Sequence, residues 1–160
     1  MSLLDRSAEW LARFCMGLAA LLTAGIAGVV IWTVLARFLF SRTPSWTEEL
    51  PRILMIWAVF LGIVWTTARG TNLEAGLLDL WARGRVRAAM RLLSEILVLG
   101  FTVTLAMTAA EMAEITWDSI TPALETTAAI FYLPIAIGGA LASLLQLHRI
   151  VNAARVLRSA

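Results

Sequence analysis

Residues Phe14–Ala36, FCMGLAALLTAGIAGVVIWTVLA, run for 23 positions without a charged side chain. A helix needs about 20 residues to cross about 30 Å of hydrocarbon, so this stretch is long enough to span a bilayer unaided. Thr126–Leu147, TTAAIFYLPIAIGGALASLLQL, is a second such run, with 22 uncharged positions. Between them lie two weaker runs. Ile53–Ala68 is charge-free but reaches spanning length only by extending back through Arg52 and Glu49 or forward to Arg69, and Leu92–Ala110 is interrupted by Glu95. Lipid cannot satisfy open backbone groups, and nothing here alternates with a period of two over ten-residue units, so helices are the spanning form.

Composition points the same way, with 60% hydrophobic residues and a mean hydropathy of +0.82, the apolar residues arriving in blocks rather than stripes. The expected fold is an all-α integral membrane protein, read as a single membrane domain over residues 1–160. Its four transmembrane helices fall at about 14–38, 47–69, 91–111 and 126–148. A short amphipathic interfacial helix is expected between spans two and three, over about 72–83. There Thr71 and Glu74 have capping-box spacing, and Leu73, Leu77, Leu80 and Trp81 recur on one face. That helix either dips its apolar face into the acyl boundary or packs on its own bundle. The amino end is a retained first span rather than a signal peptide, because the apolar run is too long and Arg37 and Phe38 follow it without a small-residue cleavage site.

All 13 basic residues are arginines, and their placement orients the chain. Arg69, Arg83, Arg85, Arg87 and Arg91 lie between spans two and three, and Arg149, Arg155 and Arg158 follow span four. The stretch from Glu111 to Glu125 carries four acids and no base. The positive-inside tendency then puts the middle connection and both chain ends in the cytoplasm. Arg37, Arg42 and Arg52 fall on the outer side against that tendency, which implies pairing with carboxylates. A net charge of +2, with the bases tied to membrane edges, gives no argument for nucleic acid.

Two acidic positions stand out. Glu48 and Glu49 lie four and three residues before Arg52, within helical pairing reach, and the expectation is a charge cluster that locks span two to span one through Arg37. Intramembrane ionisable groups are also candidates for an ion relay or a substrate contact, and those readings stay open. Glu95 is the other acid in apolar surroundings, with Arg69 or Arg91 able to snorkel toward it. Small residues at four-residue spacing, Ala20, Ala24 and Gly28 on span one and Ala136 with Ala140 and Gly139 with Ser143 on span four, imply close helix approach within this chain or against another.

Several chemistries find no residues. The single histidine, His148, cannot supply paired haem ligands. No Gly-rich phosphate loop, cysteine–histidine metal spacing or nucleophile elbow occurs, so neither an enzyme, a metal site nor a cofactor is indicated. Lone Cys15 allows no intrachain disulfide. A small multidrug exporter would carry a buried acid in its first helix, and Phe14–Ala36 has none.

The order of motifs resembles a known family. Arg37-Phe38 closing span one, then Trp46, Glu48-Glu49, Arg52, Trp57, Phe60-Leu61-Gly62 and Arg69, are similar to the small Q-type membrane subunit of tripartite ATP-independent periplasmic (TRAP) transporters. Thr121-Pro122-Ala123-Leu124, followed by Tyr132-Leu133-Pro134-Ile135 and Gly138, is similar to that family's fourth span. The resemblance covers about residues 14–147, with Arg37 to Arg69 its specific part. A departure follows Arg69, where the family's His-Ile pair and Val-Asp segment are replaced by Asn72-Leu73 and Glu74-Ala75-Gly76.

The resemblance implies an accessory or scaffold subunit in a bacterial inner membrane. Its partners would be a large multi-span subunit, a periplasmic binding protein for a carboxylate or related anionic solute, and membrane lipids, with sodium coupling in the large subunit. It makes Arg37, Trp46, Glu48, Glu49, Arg52, Trp57 and Arg69 candidates for a structural charge cluster or partner interface. Trp10, Trp81 and Trp117 become interfacial anchors. Two other classes remain open at this stage: a self-sufficient homo-oligomeric transporter, and a membrane anchor for a non-transport complex.

Overall fold

The computed structural model describes residues 3–40, 43–69 and 84–159. Four long helices carry the chain: α1, Leu3–Phe40; α2, Trp46–Arg69; α3, Gly84–Ile115; and α4, Leu133–Ser159, with a 3-10 turn at Ala128–Phe131 leading into α4. Each long helix, the fourth together with its 3-10 turn, supplies a segment apolar and long enough to cross a membrane, over Glu9–Leu39, Trp46–Arg69, Leu92–Ile115 and Ala128–Val151. The shortest of these covers 24 residues, about 36 Å at 1.5 Å per residue, which clears the hydrocarbon thickness. The interfacial helix expected over 72–83, including Trp81, lies outside the described residues.

α1 begins well before Phe14. Its first turns continue the helix beyond the apolar run, where Arg13 pairs with Glu9 at 3.7 Å and Trp10 stacks on Phe14 with ring centroids 6.1 Å apart. These (i, i+4) pairs hold the helix in register through the zone where apolar sequence gives way to polar.

The helices form a row rather than a closed square. α1 packs along α2, α2 along α4, and α4 along α3, and α1 makes no comparable contact with α3. Burial follows from that order: in the inner helices α2 and α4, 22% and 28% of the spanning windows are buried, against 11% in α1 and 6% in α3. The outer helices therefore turn most of their apolar surface outward, with Leu21, Ile31 and Phe38 on α1 and Leu97, Phe101 and Met107 on α3 among the exposed side chains. In water such a surface would drive aggregation; in lipid it is the required exterior.

Each outer helix buries one narrow stripe. On α1 it starts with Ala12, Cys15 and Ala19, and Cys15 and Ala19 pack with Leu61 and Val64 of α2 while Leu141 and Leu145 of α4 close over them. On α3 it is Glu95, Thr102, Ala109 and Ala113, spaced seven, seven and four apart as a helix seam requires. Threonines of the outer helices bond their own helix: the Thr23 hydroxyl donates to the Ala19 carbonyl at 2.8 Å, Thr33 to Val29 at 2.7 Å and Thr108 to Thr104 at 2.8 Å. Back-bonding of this kind lets a hydroxyl sit in hydrocarbon without an unmet donor.

Candidate functional site

The start of α1, the end of α2, the start of α3 and the end of α4 lie at one end of the row, and the end of α1, the start of α2 and the 116–127 loop at the other. Polar side chains inside the bundle gather at both ends, and α4 is common to the first of these groups.

At the termini end, Glu95 of α3 is 8% exposed and Gln146 of α4 is fully buried. Arg149, one turn beyond Gln146, donates through Nη2 to Glu95 Oε1 at 2.8 Å and through Nη1 to the Thr67 carbonyl of α2 at 3.2 Å. Gln146 Nε2 donates to Glu95 Oε2 and to the Glu95 carbonyl at 3.3 Å. One carboxylate thus accepts from both long side chains of α4, and the guanidinium spans to α2. Burying a carboxylate costs several kcal/mol unless it is paired and hydrogen-bonded, and here each oxygen accepts a hydrogen bond, one of them from a cation. Gln146 Oε1 has no hydrogen-bond partner among the described residues.

Above this clasp, α4 lies against two helices along adjacent stripes. Gly138 faces α2: a Cβ there would come within 2.8 Å of Phe60 Cβ and 3.3 Å of the Phe60 carbonyl oxygen. Gly139 faces α3, where a Cβ would lie 3.1 Å from Ala106 Cβ. Below Gly139 on the same stripe, the Ser143 and Thr102 hydroxyl oxygens lie 3.0 Å apart across the seam, and each hydroxyl also reaches a carbonyl of its own helix, Ser143 to Gly139 at 2.7 Å and Thr102 to Val98 at 3.0 Å. The glycine pair brings both backbones close, and close approach is what gives dispersion and interhelical hydrogen bonds their value in lipid.

At the loop end, Glu49 closes the other polar group. Its Oε2 accepts from the Leu124 amide at 3.0 Å and its Oε1 from the Ala123 amide at 3.3 Å. The loop it caps is ordered internally. The Thr127 hydroxyl donates to the Trp117 carbonyl at 2.6 Å, the Ala128 amide to the Ser119 carbonyl at 2.7 Å, and the Thr121 amide to the Thr126 carbonyl at 2.8 Å. Glu125 takes a left-handed conformation, φ 48°, to close the turn.

The anticipated charge cluster is arranged differently from the sequence expectation. Among the described residues no ion pair joins Glu48 or Glu49 to Arg52 or Arg37; Glu49 turns to the loop amides, while Glu48, Arg52 and Arg37 are exposed. The physical reason is local. Two backbone N–H groups at the 121–124 turn need an acceptor, and a carboxylate in the first turn of α2 reaches them. Arg69 does not reach Glu95 but stacks over Trp65, its guanidinium carbon 5.1 Å from the ring centroid. Trp46 and Trp57 are partly buried on α2, and Trp10 and Trp117 are 73% and 58% exposed near opposite ends of the row. Gly28, Ala20 and Ala24 face away from the other helices, and nothing lies within 4 Å of a Cβ built on Gly28.

Reading from sequence missed Gln146 and Arg149 as partners of Glu95. The signal was present in part. Gln146 is the one side-chain amide within the fourth apolar run, and Arg149 follows at i+3, yet spacing alone does not choose among Arg69, Arg91 and Arg149.

Four apolar helices whose interior polar groups join helix to helix define a multi-pass α-helical membrane protein. The family model described as tripartite ATP-independent periplasmic transporters, DctQ component, matches residues 26–156, and the chain belongs to that family. It is a small membrane subunit of a TRAP transporter, a system in which a large membrane subunit and a periplasmic binding protein work alongside it. No match was found among the curated proteins.

Proposed function

We propose that this subunit is the stationary scaffold of a sodium-coupled importer of a carboxylate or related anionic solute, seated in the bacterial inner membrane with both chain ends cytoplasmic. The observation that carries the reading is the use of its buried polar groups. Glu95, Gln146 and Arg149 bond one another and the α2 backbone, and Glu49 bonds the loop amides. A carrier that slides in the bilayer transports only against something that stays fixed, and helices cross-linked in this way resist sliding past one another.

In this reading the exposed apolar faces of α1 and α3 meet the large subunit and lipid. Trp10 and Trp117 hold the bundle at the two membrane borders. At the loop end, exposed Glu48, Arg52, Glu111, Glu114, Asp118 and Glu125 give the periplasmic binding protein a charged surface to meet. Trp46, Trp57 and Arg69 complete the face toward the partner. Affinity purification of the tagged chain from its native membrane in mild detergent tests this. Recovery with one large multi-span subunit in equal amounts supports it, and recovery as a defined oligomer of this chain alone overturns it.

A further inference from the structure

Between the end of α1 and the start of α2 a cleft of about 280 Å³ opens on the outside of the row, lined by Val30, Thr33, Val34, Arg37, Phe38 and Thr47. We propose that it is a glycerophospholipid site, with the phosphodiester on Arg37 and one acyl chain lying along Val30, Val34 and Phe38.

The lining has the polarity of such a ligand. Thr33 and Thr47 contribute hydroxyls already bonded to the backbone, to the Val29 carbonyl at 2.7 Å and the Pro44 carbonyl at 2.7 Å. Arg37 makes no hydrogen bond or ion pair with any described residue, so among the described residues the lining has one cation, without a carboxylate on it, at one end of an apolar trough. Depth agrees with this assignment. Arg37 lies two residues from the end of the apolar segment Glu9–Leu39, at the level of headgroups, and Val30 lies seven residues deeper, about 10 Å along the helix. A guanidinium matches phosphate oxygens two at a time, and at a low-dielectric border that pairing is stronger than in water. The site also accounts for an arginine standing on the side of the membrane where bases are disfavoured.

The inference rests on the membrane setting and not on the scaffold role. Its test uses the complete transporter reconstituted in vesicles of phosphatidylethanolamine and phosphatidylglycerol, doped with a phospholipid that carries a photoreactive diazirine in its acyl chain. After illumination the labelled peptides are mapped by mass spectrometry. Labelling is expected on Val30–Phe38. Arg37→Gln lowers it about tenfold relative to labelling of the outward face of α3 at Leu97 and Phe101, as loss of a hydrogen-bonded charge predicts. Arg37→Lys retains most of it, and Val34→Trp, which fills the trough and leaves the charge, removes it. Equal labelling in wild type and Arg37→Gln would show ordinary boundary lipid and overturn the proposal. So would a wild-type complex in which this segment takes no label because a polypeptide of the large subunit covers it.

Discussion

Arg149 and Glu95 meet at 2.8 Å across the α4–α3 seam, and the same guanidinium reaches the Thr67 carbonyl of α2, so one side chain ties three helices together. The pair is largely buried, with 18% of the arginine side chain and 10% of the glutamate side chain exposed. Removing one partner leaves a buried charge without its counterion. Glu95→Leu and Arg149→Leu are each expected to cost about 3 kcal/mol of stability, and the double variant clearly less than their sum. Unfolding of the purified complex in a double-mutant cycle measures this; strict additivity would contradict the pairing.

The glycine pair gives a sharper steric prediction. Gly138→Ala places a methyl 2.8 Å from Phe60 Cβ, and because the obstacle is Cβ and backbone rather than a flexible side-chain end, α2 and α4 must separate. A loss of about 1–3 kcal/mol is expected. Gly28→Ala meets nothing within 4 Å and leaves stability unchanged or slightly raised. Thermal unfolding of the two variants side by side separates a packing glycine from a lipid-facing one.

Glu49 and Glu48 are adjacent but differ in consequence. Glu49→Leu strips the acceptor from the Ala123 and Leu124 amides and is expected to cost about 1–3 kcal/mol locally, while Glu48→Leu, at an exposed position, is near neutral. Hydrogen exchange at the Ala123 and Leu124 amides reads the difference: it accelerates at least tenfold in Glu49→Leu, the factor corresponding to about 1.4 kcal/mol, and is unchanged in Glu48→Leu.

Spans one and four were legible because a run of more than 20 uncharged residues has one physical reading in this composition. Glu95 was legible as an anomaly, since a lone acid in an apolar helix demands a partner. Which partner was not legible: in the sequence Arg69, Arg91 and Arg149 all flank the same ends of the apolar runs, and the pairing with Arg149 depends on the rotation of α4 against α3, set by Gly139 and Ser143 packing on Ala106 and Thr102. Glu49 shows a second limit. Its spacing to Arg52 fits a helical ion pair, but the two loop amides that claim it are more than 70 residues away, and local spacing carries no information about them. The small-residue stripe Ala20, Ala24 and Gly28 marks a face open to the outside, because a smooth helix surface suits lipid or another chain as well as a neighbour in the same fold.

A fixed scaffold requires that the helices of this subunit do not move past one another while solute crosses. The Ser143 and Thr102 hydroxyls, 3.0 Å apart on α4 and α3, allow it to be tested by locking them. Ser143→Cys with Thr102→Cys, in a background where the single native cysteine is removed by Cys15→Ala, is oxidised in vesicles holding the complete transporter, with bond formation verified by mass spectrometry. The decisive measurement is uptake, before and after oxidation, of the solute its binding protein captures. A fixed scaffold predicts the same rate in both states. Uptake that stops on oxidation and returns on reduction would contradict the account, because it would place a moving part of the transport cycle inside this chain.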